Sequence, residues 1–216
     1  MRKAYLIIKR VTDFFLALLS LILLLPFFLA VIVAIKLDSR GPVFFRQKRI
    51  GIHKTHFNIL KFRTMRIDTP CDVPTHLLQN PDQCITRVGR MMRKFSIDEL
   101  PQILNILTGD MSVVGPRPAL WNQYDLIEER EKYGANDVPV GLTGWAQING
   151  RDHLTIPEKA RLDGEYAQRF GLRMDLRCFF GTFGYVLCGR GVAEGGTGSK
   201  ARHHPENDPD QEKTES

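Results

Sequence analysis

Phe14 to Ile35 is a run of 22 residues without a single charge. As a straight helix at ~1.5 Å per residue it would reach ~33 Å, enough to cross a hydrocarbon core of ~30 Å. The run is too long for the apolar region of a cleaved signal peptide, and no A-x-A-like site follows it. One transmembrane span is the plain reading, but two features argue against it. Pro26 sits in the middle, where a proline costs ~3 kcal/mol and bends a helix. Positive charge also lies on both sides: Arg2, Lys3, Lys9 and Arg10 before the run, then Lys36, Arg40, Arg46, Lys48 and Arg49. Basic flanks tend to stay in the cytoplasm, which would put both ends on one side. A bent helix that dips into one leaflet and returns satisfies both features. Proline kinks occur in true spans too, so the residues alone leave both topologies open.

Charge is distributed to match. Residues 1–66 carry 13 Lys/Arg against Asp13 and Asp38, whereas the remaining residues carry 17 against 22 acids. A basic start around the most apolar segment fits an anionic membrane surface better than a nucleic acid. No zinc finger, helix-turn-helix or aromatic-basic RNA motif is present, so no nucleic-acid partner is expected. Cys71, Cys84, Cys178 and Cys188 show no CxxC spacing and read as free thiols in a reducing cytosol. At 216 residues the chain can bury one good core with a small appendage.

Two adjacent carboxylates, Asp98 and Glu99, stand between a basic approach (Arg87, Arg90, Arg93, Lys94) and an apolar helix. Leu100, Ile103, Leu104 and Leu107 repeat at one helical face, and Gly109 supplies a stop. Pro101 is tolerable only in a first turn, so the helix is predicted to begin near Asp98, with Ser96 or Asp98 as N-cap. The acids would then sit at the positive end of a helix dipole, a place that also suits phosphate. An ordinary acidic cap over a core helix is the plainer alternative.

Around this stretch the chain offers cations. Gly41-Pro42 marks a turn, and residues 43–47 and 57–63 read as two strands of a hairpin around Gly51. Lys61 and Arg63 lie two apart and would share a strand face, either solvated or turned to a substrate phosphate. Residues 68–84, with Pro70, Pro74 and Pro81, read as a surface loop. In Pro116-Arg117-Pro118 a proline on each side restricts the backbone, holding the root of a guanidinium whose fork matches phosphate oxygens. Residues 121–133 read as a mixed-charge surface helix. Gly141 to Arg151 is glycine-punctuated and ends on another arginine, and its glycines would permit close backbone approach to a ligand. A helical pattern from Pro157 to about Phe170 carries Asp163 and Tyr166. Residues 172–188 read as a helix lying on the membrane surface or, equally, covering the core. The predicted class is α+β and mostly helical: a membrane-inserted, re-entrant helix over 1–37, a cytosolic catalytic domain over 38–192 with a β-hairpin and membrane-surface helices, and a disordered tail over 193–216.

Taken together the blocks resemble the monotopic phosphoglycosyl transferases, the bacterial sugar transferase family. The matching residues are Lys9-Arg10 with Asp13, Gly41-Pro42-Val43-Phe44-Phe45-Arg46-Gln47, Lys61-Phe62-Arg63-Thr64-Met65 and Asp98-Glu99-Leu100-Pro101-Gln102. They continue with Gly109-Asp110-Met111-Ser112, Gly115-Pro116-Arg117-Pro118, Thr143-Gly144-Trp145-Ala146-Gln147, Asn149-Gly150-Arg151, and Asp163 with Tyr166. The likeness covers roughly residues 9 to 188. It implies transfer of a sugar 1-phosphate from a UDP-sugar to polyprenyl (undecaprenyl) phosphate at the cytoplasmic face of the bacterial inner membrane, among its lipids, with release of UMP. By resemblance Asp98 is the nucleophile, forming an aspartyl phosphosugar, and Glu99 holds Mg2+. Lys61, Arg117 and Arg151 match phosphate-contacting positions, with Arg63 as a further substrate-binding candidate and Asp163 as a further functional carboxylate.

Three departures stand out. Leu25 replaces the serine of the family's Ser-Pro helix break, with Ser20 as a candidate to compensate. Val140 stands where a Pro-Gly pair is usual, which predicts a looser loop before Gly141. The chain also reads as a minimal form, without the N-terminal additions of longer relatives. The resemblance leaves the sugar, the pathway and the choice between monomer and homo-oligomer open. Two rival functions remain: a non-catalytic membrane adaptor, and a glycosyltransferase that would release UDP.

Overall fold

A computed structural model describes residues 2–67, 69, 84–150 and 153–187. Arg151, most of the 68–84 loop, Cys71, Cys188 and the 193–216 tail lie outside the described residues.

The apolar run is part of one continuous helix, α1 (Arg2–Asp38), with Pro26 inside it. It is long and apolar enough to cross a membrane. The proline does not end the helix. Packing on the far side carries the helix on: Phe28 lies 5.2 Å from Phe62, ring to ring, and Val31 and Ile35 are buried. Ala17, Phe28, Val31 and Ile35 join Ile59, Phe62, Met92, Ile103 and Ile106 in the main core. The other face leaves Ile8, Phe15, Leu19, Leu23, Leu29 and Val33 exposed.

Both ends of α1 are tied to the same domain. Near its start, Tyr5 Oη and Lys9 Nζ donate to Asp175 at 2.7 and 2.5 Å. Arg10 donates to the Ile106 and Leu107 carbonyls, and Ser112 Oγ to Asp13 at 2.6 Å. Near its end, Val88 N donates to Asp38 at 3.0 Å and Lys36 to the Gly41 carbonyl at 3.1 Å.

The predicted hairpin forms: β1 (Phe44–Ile50) pairs antiparallel with β2 (His56–Phe62), Phe44 opposite Phe62. After α2 (Arg87–Lys94) a 3-10 turn, Ile97–Glu99, leads into α3 (Gln102–Thr108). The helix therefore starts later than predicted. Ser96 adopts a left-handed backbone (φ 54°) and makes no side-chain cap, so neither Ser96 nor Asp98 is the N-cap. Gly109 closes α3 as predicted, left-handed at φ 96°. The buried face also differs, because Gln102, Ile103, Asn105 and Ile106 point inward while Leu104 and Leu107 are only part-buried. Asn105 earns its burial by serving the edge of β2. Its Oδ1 accepts from Leu60 N and its Nδ2 donates to the Asn58 carbonyl, both at 2.9 Å.

Beyond α3, β3 (Ser112–Val114) pairs in parallel with β4 (Gly141–Thr143). Between them lies α4 (Tyr124–Glu131), and α5 (Trp145–Ile148) follows β4. The glycines here serve backbone-to-backbone contact. A Cβ on Gly115 would sit 2.1 Å from the Pro139 carbonyl, and one on Gly144 2.1 Å from the Gly115 carbonyl. The loop before Gly141 is not loose. Val140 is buried in the main core, and its carbonyl accepts from Ser112 N at 2.8 Å.

Two helices complete the domain, α6 (Ile156–Gln168) and α7 (Leu172–Leu187). Inward residues of α7, Met174 and Cys178, pack with Val114, Val138 and Tyr166, while Leu172, Leu176 and Phe180 stay exposed. One face of α7 therefore covers core and the other is apolar and open. Cys84 and Cys178 are free thiols, and burial pushes the Cys178 thiol up to about 12.

Candidate active site

The turn Ile97–Glu99 places both carboxylates at the domain's centre, with Asp98 5% and Glu99 8% exposed. Ser96 makes this possible. Its left-handed backbone reverses the chain out of α2, and its carbonyl accepts from Glu99 N at 3.2 Å. A non-glycine residue at positive φ is uncommon and marks a backbone held there by its surroundings.

Glu99 meets two cations from distant segments. Lys61, one residue from the end of β2, donates to Oε1 at 3.0 Å. Arg117 engages both oxygens, Nη2 to Oε1 at 2.5 Å and Nη1 to Oε2 at 3.3 Å. This is the two-pronged contact that a guanidinium, and not an ammonium, can make. Glu99 is thus served by side-chain cations, and the seven-residue α3 behind it contributes no long dipole.

The root of Arg117 is fixed more firmly than its two prolines alone require. Pro116 and Pro118 are fully buried. Four consecutive carbonyls each receive a donor: Pro116 from Gly141 N at 2.9 Å, Arg117 from Arg130 Nη2 at 2.9 Å, Pro118 from Arg49 Nη1 at 3.0 Å and Ala119 from Ile50 N at 3.0 Å. Arg130 in turn donates to Asp163 Oδ2 through Nε at 2.9 Å and Nη2 at 2.6 Å. Asp163 is 0% exposed; burial pushes its carboxyl up and Arg130 opposes that. Its carboxylate therefore stands behind Arg117.

Arg63 does not share a face with Lys61. β2 ends at Phe62, and the Arg63 guanidinium donates to Ser39 O and Oγ at 2.8 Å, fastening the end of α1. The structure thus joins Asp98, Glu99, Lys61 and Arg117, places Asp163 one layer back, and turns Arg63 away. Arg130 was missed from the sequence because 121–133 reads as a solvated helix. Its position four residues after the buried Leu126 was the available signal.

Beside the pair lies a cavity of about 270 Å³. Glu99 and Arg117 form one wall, and Leu100, Val113, Leu142, Ile148, Phe179 and Phe183 make it largely apolar. Asp98 is not on its walls. Among the described residues no three His, Cys, Asp or Glu side chains gather as a metal cage. Mg2+ commonly takes one or two carboxylates and completes its shell with water and substrate phosphates; Glu99 offers one such carboxylate, whose oxygens here accept from Lys61 and Arg117.

The sequence matches the profile of the family described as bacterial sugar transferase over residues 4–189. It is 40% identical over 189 residues to the "uncharacterized sugar transferase EpsL" of Bacillus subtilis (strain 168), covering 87% of this chain and 91% of that one. To the exopolysaccharide production protein PSS of Rhizobium leguminosarum bv. phaseoli it is 43% identical over 189 residues, covering 82% and 94%. To the UDP-glucose:undecaprenyl-phosphate glucose-1-phosphate transferase of Escherichia coli (strain K12) it is 41% identical over 182 residues, 81% of this chain but only 39% of that one. With the match running through the helix, the dyad and the Arg117 segment alike, the chain belongs to the bacterial sugar transferase family.

Proposed function

We propose that the protein transfers a sugar 1-phosphate, glucose 1-phosphate by the names of its relatives, from a UDP-sugar to undecaprenyl phosphate in exopolysaccharide assembly. The observation that carries this reading is the two-pronged grip of Arg117, with Lys61, on the Glu99 carboxylate beside Asp98. An oxygen of the Asp98 carboxylate attacks the phosphorus that bears the sugar. The bond from that phosphorus to the bridging oxygen breaks, and UMP leaves with the electron pair. An oxygen of undecaprenyl phosphate then attacks the aspartyl phosphosugar, freeing Asp98 and giving the lipid-diphospho-sugar. A carboxylate nucleophile divides one hard phosphoryl transfer into two easier ones. Mg2+ held at Glu99 would supply positive charge against the diphosphate. Lys61 and Arg117 hold Glu99 in place and add two positive charges beside the phosphates. With UDP-glucose and undecaprenyl phosphate the nucleotide product should be UMP; release of UDP would mean glycosyl transfer, and no nucleotide release would favour an adaptor.

Arg117→Lys keeps the charge but loses the fork. It should cost about 1.5–3 kcal/mol of transition-state binding, about 10- to 150-fold in kcat/KM. Near-normal kcat/KM would remove Arg117 from the site.

In this reading α1 enters the inner membrane from the cytoplasmic face and both its ends remain there. Supporting it are the ties of Lys9, Arg10 and Asp13 at one end and of Asp38 at the other to a single domain. A helix crossing the bilayer would carry one of those sets away from its partners. Single cysteines at Lys3 and at Arg40, in a background lacking the native four, should both resist an impermeant thiol reagent applied from the periplasm. Labelling at Lys3 would demonstrate a span.

A further inference from the structure

Most of the polar groups on the cavity wall are already engaged. Arg117 is paired with Glu99, Thr143 Oγ1 and Thr182 Oγ1 lie 2.6 Å apart, and Thr182 also donates to the Cys178 carbonyl at 2.7 Å. Gln147 is different. It lines the same cavity, is only 8% exposed, and neither its Oε1 nor its Nε2 has a hydrogen-bond partner. Buried side-chain amides are nearly always satisfied by protein, water or ligand, so one that lacks both donor and acceptor partners on a cavity wall has both positions open to what fills the cavity. The fold holds Gln147 in that position. Gly144 has no side chain, and a Cβ there would stand 2.8 Å from Gln147 Oε1. The one-turn α5 is fastened on its other side, where Trp145 Nε1 donates to Glu165 at 3.0 Å.

We infer that the Gln147 carboxamide recognises the imide edge of the donor's uracil, through its position on an otherwise apolar wall beside Glu99 and Arg117. The inference rests on the reading of the donor as a UDP-sugar and names the residue that reads its base. A carboxamide presents an acceptor and a donor side by side, the complement of N3–H and an adjacent carbonyl on uracil. The remaining lining suits a planar base, with Phe179, Phe183, Leu142 and Ile148 offered to its faces. A hexose, with hydroxyls on every side, would leave most of them unmet against these walls. A polyprenyl tail would leave Gln147 as unsatisfied as it is without a ligand.

Because a carboxamide can turn over and pair with cytosine as well, methylation at N3 is a sharper probe than a change of base. Calorimetric binding of UMP and of 3-methyl-UMP to the detergent-solubilised full chain reads the contact without requiring turnover. The wild type should bind 3-methyl-UMP about 10- to 100-fold more weakly. Gln147→Leu, of similar size, should weaken UMP by a like factor and bind the two nucleotides within about threefold of one another. Gln147→Glu, which keeps an acceptor for N3–H, should retain a preference for UMP and guards against a leucine variant that does not fold. A wild type indifferent to N3 methylation, or a leucine variant that still discriminates, would overturn the assignment. Failure of the transfer reading would look different: UMP absent from the products of UDP-glucose while UMP binding stays N3-dependent.

Discussion

Asp98→Asn should bring sugar-phosphate transfer down by at least about 10³-fold, to background. Asparagine keeps the size and polarity of the side chain, so the Ile97–Glu99 turn and the Glu99 contacts should persist. What it lacks is the anionic oxygen that forms the bond to phosphorus. Glu99→Gln should behave differently, because the nucleophile remains and the loss falls on the grip of Lys61 and Arg117. It should give slow transfer with a weakened dependence on Mg2+. Initial rates of UMP release across a magnesium series distinguish the two variants. Equal, complete loss in both would assign them a shared role instead of separate ones.

Asp163→Ala should be the most destabilising single change behind the site. Both members of the Arg130–Asp163 pair are buried, with side chains 4% and 1% exposed. Removing the carboxylate strands a guanidinium out of water, at a cost of about 3–5 kcal/mol. For a chain of this size that is a fall in Tm of about 6–20 °C. Replacing both residues with apolar ones of similar volume, Arg130→Met with Asp163→Leu, should recover much of the Tm. It should not recover kcat/KM, because the Arg117 carbonyl would still lack its donor. Thermal unfolding read beside kcat/KM separates the two effects, and activity that returns with stability would reduce Arg130 to a packing residue.

What was readable in the sequence was local. The turn signals at Gly41-Pro42 and Gly51 mark out the hairpin, the uncharged run gives α1, and Pro116 and Pro118 announce a fixed Arg117 because proline acts on its own neighbours. What was not readable depends on residues far apart in sequence. Lys61 reaches Glu99 from 38 positions away, Lys9 reaches Asp175 from 166, and Arg130 reaches Asp163 from 33. Spacing of two suggested a common face for Lys61 and Arg63, but the strand stops between them and the second guanidinium follows the chain to Ser39. The helix start was misplaced for a related reason. Ser96, Asp98 and Pro101 all suit an N-terminus, but residues 97–99 take a 3-10 turn after the left-handed Ser96, and the helix proper begins only past Pro101. Asn105, an unremarkable polar residue within a helix, is buried because β2 offers it two backbone partners.

The first half-reaction alone tests whether Asp98 is the nucleophile. Purified protein with Mg2+ and UDP-glucose, without undecaprenyl phosphate, should release UMP and gain the mass of a hexose phosphate on the peptide carrying Asp98. Hydroxylamine should remove the adduct, as it cleaves acyl phosphates, and Asp98→Asn should never form it. If UMP appears only when the lipid acceptor is present and no adduct can be trapped, transfer is direct and Asp98 is a base or a metal ligand.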